Sequence, residues 1–243
     1  MRKRFLLFSV LSMLLAFLVL PPAKAQKRKI QNRPYIDQRR FHYGFSVGMN
    51  MQDFELTNTR ATTESGETWY ADVADYSPGF SVGILGELYL TKHLALRLLP
   101  TLHFGSKNVV FRNYNSPEDK PQTERQNVKS TYISLPLDLK FSAPRFNNYR
   151  PYLMAGVNPM YNLNVKKGEH LRFKPMNLYA EVGLGCDYYF PFFKFIPELK
   201  FCFGLLDIIN KDRNDLSDQS LTKFRDAVSQ GSSKMIVLTF YFE

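Results

Sequence analysis

Large apolar residues recur at every second position over several stretches of this chain. Phe41, Tyr43, Phe45, Val47, Met49 and Met51 share one parity, while His42, Gly44, Ser46, Gly48, Asn50 and Gln52 share the other. Successive side chains of a strand point to opposite faces, so one face here is continuously apolar and the other is small or polar. The same alternation predicts strands over 79–90, 94–104, 131–141, 152–161, 177–190 and 193–205. The last ten residues, 234–243, repeat it with Ile236, Leu238, Phe240 and Phe242 on the apolar face. Pro136 lacks a ladder donor, so a local distortion is expected within its strand.

The opposite parity carries charge. Glu87, Arg97, Asp138, Lys140, Glu181, Asp187, Glu198 and Lys200 all fall on the polar face. Leu90 and Leu94 both belong to the apolar face, so the Thr91-Lys92-His93 turn is centred on Lys92, which sets Glu87 opposite Arg97. A soluble barrel would be apolar inside and polar outside; these strands show the inverse, which suits contact with lipid. The expected fold is all-β: an eight-stranded antiparallel transmembrane outer-membrane β-barrel that closes on its C-terminal strand. Such an interior is just wide enough to be filled by side chains, so the eight charges are expected to form a structural lumenal salt-bridge network.

Connection lengths alternate. The stretches 55–79, 105–130, 162–176 and 206–233 are long, whereas 91–93, 142–151 and 191–192 are short. This predicts four long extracellular loops, short periplasmic turns and both termini in the periplasm. Within the fourth long stretch, Leu221, Phe224 and Val228 share a helical face, which suggests a short helix near 218–230.

The N-terminus adds an export signal. Arg2-Lys3-Arg4 precedes an apolar run from Phe5 to Leu20, and Ala23-Lys24-Ala25 supplies a small-x-small site before Gln26. A signal peptide over 1–25, a basic periplasmic arm over 26–40 and a barrel over 41–243 are the expected divisions. No other stretch approaches the length of a membrane helix, so embedding must use strands. The formal net charge is +10; loss of Arg2, Lys3, Arg4 and Lys24 would leave +6, part of it in the 26–40 arm. In an exported protein that excess suits a solvated tail, acidic headgroups or a partner, and not nucleic acid. Cys186 and Cys202 fall on opposite parities, out and in, so they are not expected to bond.

No catalytic set emerges. His42 and His103 face the lumen toward opposite ends, His93 lies in a turn and His170 in a loop. The chain has no His-Glu-x-x-His metal spacing and no Gly-x-Ser-x-Gly elbow. No enzyme activity, cofactor, metal or small-molecule substrate is expected.

The segments PGFSVGILGELYL (78–90), TYISLPLDLKF (131–141), RPYLMAGVNPMYNL (150–163) and NLYAEVGLGCDYYF (177–190) resemble outer-membrane barrels widespread in Bacteroidota. Taken from QNRPYIDQRRFHYGFSVGMNMQDFEL to the terminal MIVLTFYFE, the chain is similar to the PorT family, barrel components of the type IX (Por) secretion system. The resemblance implies a role in moving cargo, including proteinases, across the outer membrane. It implies outer-membrane lipid and other secretion-system subunits as partners. A small adhesin acting through its extracellular loops is the alternative.

Overall fold

The computed structural model describes residues 32–59, 68–76, 78–113, 122–164, 173–210 and 227–243. The signal-peptide region 1–25 and His170 lie outside the described residues. Among the described residues, a 3-10 turn, Ile36–Gln38, precedes eleven antiparallel strands. These are β1 (Phe41–Asn58), β2 (Trp69–Tyr76), β3 (Pro78–Tyr89), β4 (Leu94–Leu98), β5 (Thr101–Asn113) and β6 (Gln122–Ser134). They continue with β7 (Leu137–Ser142), β8 (Tyr149–Asn162), β9 (Met176–Tyr189), β10 (Lys194–Gly204) and β11 (Val228–Phe242).

The ladders run in a closed circuit: β1 to β11, β10, β9, β8, β7, β4, β3 and back to β1. The predicted count of eight strands is therefore corrected to eleven segments arranged around eight positions, because three walls of the ring are interrupted. β2 gives way to β3 next to Pro78, β4 to β5 at Leu99-Pro100, and β6 to β7 at Leu135-Pro136. Proline cannot donate to a ladder but its carbonyl still accepts. Accordingly, Ile84 N donates to Pro100 O (3.0 Å), Leu99 N to Pro136 O (3.2 Å) and Leu135 N to Pro159 O (3.1 Å). The distortion expected at Pro136 is one of these three; the others were not anticipated.

Alternation fixes which face points out. Phe41, Tyr43, Phe45, Val47, Met49 and Met51 are all exposed on β1, and Leu137, Leu139 and Phe141 on β7. Eleven residues of tilted strand, Phe41 to Met51, make an apolar belt about 25 Å tall, the height of a bilayer's hydrocarbon band. Aromatic rings concentrate on β1, β10 and β11, where Phe45 stacks on Phe242 (5.1 Å between centroids) and Phe195 on Phe240 (5.7 Å).

Above the belt the pattern inverts. β1 runs on to Asn58, β2 pairs with β5, and the β5–β6 hairpin extends to the Asn113–Gln122 pair. Much of 55–79 and 105–130, expected as loop, is thus strand. Outward residues there are polar (Thr123, Arg125, Asn127 and Lys129 are exposed), while Phe54, Trp69, Val109, Phe111 and Val128 pack inside with Phe173, Ile208 and Ile209. Strand pairing continues past the lipid because ladder hydrogen bonds do not depend on what bathes the outer face. The sequence pattern fades because the apolar face changes sides. The helix expected near 218–230 is corrected at its end, since residues 228–230 belong to β11; positions 218–226 lie outside the described residues.

Candidate functional site

The lumen at the belt's level is a single block of ion pairs. Glu87 and Arg97 stand directly opposite each other on β3 and β4, as the turn centred on Lys92 requires. Arg97 Nε donates to Glu87 (2.6 Å) and Nη1 to Glu198 (2.5 Å). Glu198, on β10, also accepts from the hydroxyls of Tyr152 (2.5 Å) and Tyr241 (2.7 Å). Lys140 Nζ donates to Asp187 (2.8 Å) and reaches Glu87 (3.3 Å). Lys200 lies 3.7 Å from Asp138, 3.8 Å from Glu181 and 3.7 Å from Glu198. All eight charges assigned to the inner parity are therefore buried in one connected set.

Several features make this packing possible. Tyr152 lies over Gly185: a Cβ there would come within 2.4 Å of its hydroxyl oxygen and 2.5 Å of the ring. The Arg97 guanidinium carbon sits 4.8 Å from the Tyr152 ring centroid, and Lys140 Nζ 4.2 Å, so one ring faces two cations. Leu85, Leu99, Met154 and Ile196 fill the same layer. The void beside Lys200, lined by Thr101, His103, Glu181 and Tyr241, is about 10 Å³, room for at most one water. The tyrosine hydroxyls and the inward Leu85 share the inner parity of the charges, which is the signal that could have marked them.

His103 stands above this block, with Nδ1 2.7 Å from Ser81 Oγ and Nε2 3.1 Å from Ser134 Oγ. A serine beside a histidine suggests a nucleophile and base, but the second ring nitrogen meets a serine and not an orienting carboxylate. Among the described residues no group of acidic, histidine and cysteine side chains could hold a metal ion. Higher still, the buried Lys107 ammonium lies 3.2 Å from the Phe54 ring centroid, beneath the apolar cap. Cys202 is buried with its thiol 3.3 Å from Glu181, Cys186 is part-exposed on the opposite face, and both are free.

The end carrying the short turns is closed by the chain's own N-terminal segment. Of the arm drawn at 26–40, residues 26–31 lie outside the described residues. Residues 32–38 dock across the mouth, a contact with the barrel itself that the sequence reading did not include. Asp37 is the hub: it accepts from Arg145 (3.1 Å) and from the Tyr189 hydroxyl (2.8 Å). Arg145 also donates to Asn32 O (2.5 Å), and its guanidinium stacks 3.5 Å from the Tyr189 ring centroid. Asn32 bonds Asn148 and Tyr189 O, and Arg33 donates to Glu243 O (3.2 Å). Beyond the end of β11, the Glu243 carboxylate bonds His42 and Lys194. Those contacts outweigh its burial and hold it down to about 2. No sequence pattern marked this strap, since its partners lie more than a hundred residues away.

The profile of a family described as "Outer membrane protein beta-barrel domain" matches residues 24–210. The chain belongs to that family, and its place is the outer membrane. Among solved structures it is similar to the outer membrane protein OprG from Pseudomonas aeruginosa (13% identity, 83% of this chain and 92% of that one, TM-score 0.43). It is also similar to Neisserial surface protein A, NspA (10% identity, 84% of this chain and 98% of that one, TM-score 0.41). No curated protein matches the chain.

Proposed function

We propose that this chain is a non-enzymatic outer-membrane subunit of a type IX-like protein secretion machine, and that it works through its rims and not through an open channel. The observation that carries the mechanical half is the lumen itself. Arg97, Lys140 and Lys200, with their carboxylate and tyrosine partners, fill it side chain to side chain. An interior of eight positions holds side chains or one small ligand and does not pass a folded cargo. The surfaces left for partners are the extension above the belt, the short-turn rim and the outer wall. Short turns and both termini facing the periplasm, with the long extension outside, fit the export signal and the usual asymmetry of such barrels. The secretion system, and other subunits as partners, rest on the resemblance to the PorT family.

A clean gene deletion tests this reading. Many secreted proteins should accumulate together in the periplasm, and re-expression of the chain should release them. Normal export of all cargo would refute the proposal. Loss of surface attachment with export intact would leave the adhesin reading in its place.

A further inference from the structure

Among the described residues, the short-turn rim carries its free cations in one sector. Arg39 and Arg40 lead into β1, and Lys92 forms the tip of the β3–β4 turn; all three are exposed. β1 and β3 are paired neighbours, so the two elements are adjacent around the rim. The other turns offer no counterpart. Arg145, in the β7–β8 connection, is turned inward onto Asp37 and Asn32, and the β9–β10 turn is Phe190-Pro191-Phe192-Phe193.

The three cations also share a construction. Each has its backbone carbonyl held by a group of the inner rim: Arg39 O by His42 Nε2 (3.1 Å), Arg40 O by Tyr89 N (2.8 Å) and Lys92 O by the Arg150 guanidinium. None makes an ion pair with another described residue, and two carboxylates of this end, Asp37 and Glu243, are engaged elsewhere. The backbone of the rim is fixed while the charged ends stay free. Directly toward the membrane lie Phe41 (72% exposed), Tyr43 (80%) and Leu90 (53%), the first apolar positions of the belt. The cations therefore sit at headgroup level and the apolar residues at acyl level.

We infer that Arg39, Arg40 and Lys92 form a binding site for the phosphate of an anionic phospholipid headgroup, whose acyl chains lie along Phe41, Tyr43 and Leu90. Arginine forks and a lysine ammonium suit phosphate oxygens, and clustered basic residues at a membrane surface attract anionic lipid. A lipid fits better than an acidic protein because the cations adjoin the lipid-facing belt directly. The inference rests on membrane embedding alone and is independent of the secretion reading, so either can fail without the other.

The test is native mass spectrometry of the full mature protein released from mixed micelles containing phosphatidylglycerol and phosphatidylethanolamine in equal amounts. The wild-type protein should retain phosphatidylglycerol preferentially. Arg39→Gln/Arg40→Gln/Lys92→Gln should lower that preference on the order of tenfold, with the heat-modifiable mobility of a folded barrel unchanged. Arg125→Gln/Lys129→Gln, at the other end, should leave it intact. Added glycerol phosphate at millimolar level should not displace the lipid, since it lacks the acyl chains. Equal retention by the triple variant would overturn the site. So would loss of a co-purifying acidic protein with lipid retention unchanged.

Discussion

Exchanging the charges of Glu87 and Arg97 separates a pairwise from a collective account of the lumen. As an isolated cross-strand pair the two would be worth roughly 0.2–1 kcal/mol, and the swap Glu87→Lys/Arg97→Glu would recover what either single change loses. The structure argues otherwise. Glu87 also faces Lys140 at 3.3 Å, and Arg97 also faces Glu198 at 2.5 Å. After the swap, the new ammonium at 87 still lies beside Lys140, and the new carboxylate at 97 lies beside Glu198. Two like charges about 4 Å apart repel by about 4 kcal/mol at an effective dielectric constant near 20. Breaking one partner of a buried pair typically costs about 3–5 kcal/mol. Glu87→Lys alone should therefore destabilise the barrel by about 3–5 kcal/mol, and the double swap should recover less than half of that. Urea unfolding in lipid vesicles, read by mobility on unheated gels, measures both. A double variant within about 1 kcal/mol of the wild type would refute the collective account. A single variant that costs nothing would mean that water screens the lumen.

Three further outcomes are expected. Gly185→Val forces atoms into the Tyr152 ring and should cost about 1–3 kcal/mol or block folding, again read by gel mobility. Because folding depresses the Glu243 carboxyl to about 2, its contribution is complete above the ordinary value of 4.5 and is lost as pH falls from there toward 2. Amide exchange at the short-turn mouth should rise over that acid window in the wild type and much less in Glu243→Gln. Asp37→Ala removes the acceptor shared by Arg145 and Tyr189 and should loosen the strap by about 1–3 kcal/mol; faster proteolysis within 32–38, with the barrel still folded, is the readout.

The candidate site was legible in the sequence to the extent that it depends on parity and on one short turn. Alternation placed Glu87, Arg97, Asp138, Lys140, Glu181, Asp187, Glu198 and Lys200 on one face, and the position of Leu90 and Leu94 around Lys92 gave the register of the first hairpin. What parity could not give was which cation meets which carboxylate. Arg97 and Glu198 are 101 positions apart, and their contact exists only because the ring closes across its own interior.

The sequence by itself determined that this chain builds a strand-based barrel, apolar outward and charged inward, ending on a closing strand. The reason is local: a period of two is imposed by the backbone, and lipid on one side demands apolar side chains at alternate positions. Only the tertiary structure decided the rest. Two of the three interrupted walls break at Pro100 and Pro136, which lack a ladder N–H while their carbonyls accept from Ile84 and Leu99 on neighbouring strands. β2 and the upper parts of β5 and β6 were hidden because above the belt water replaces lipid and the apolar face turns inward. The strap of residues 32–38 was hidden because Asp37 acquires meaning only when folding brings Arg145 and Tyr189 to the same mouth.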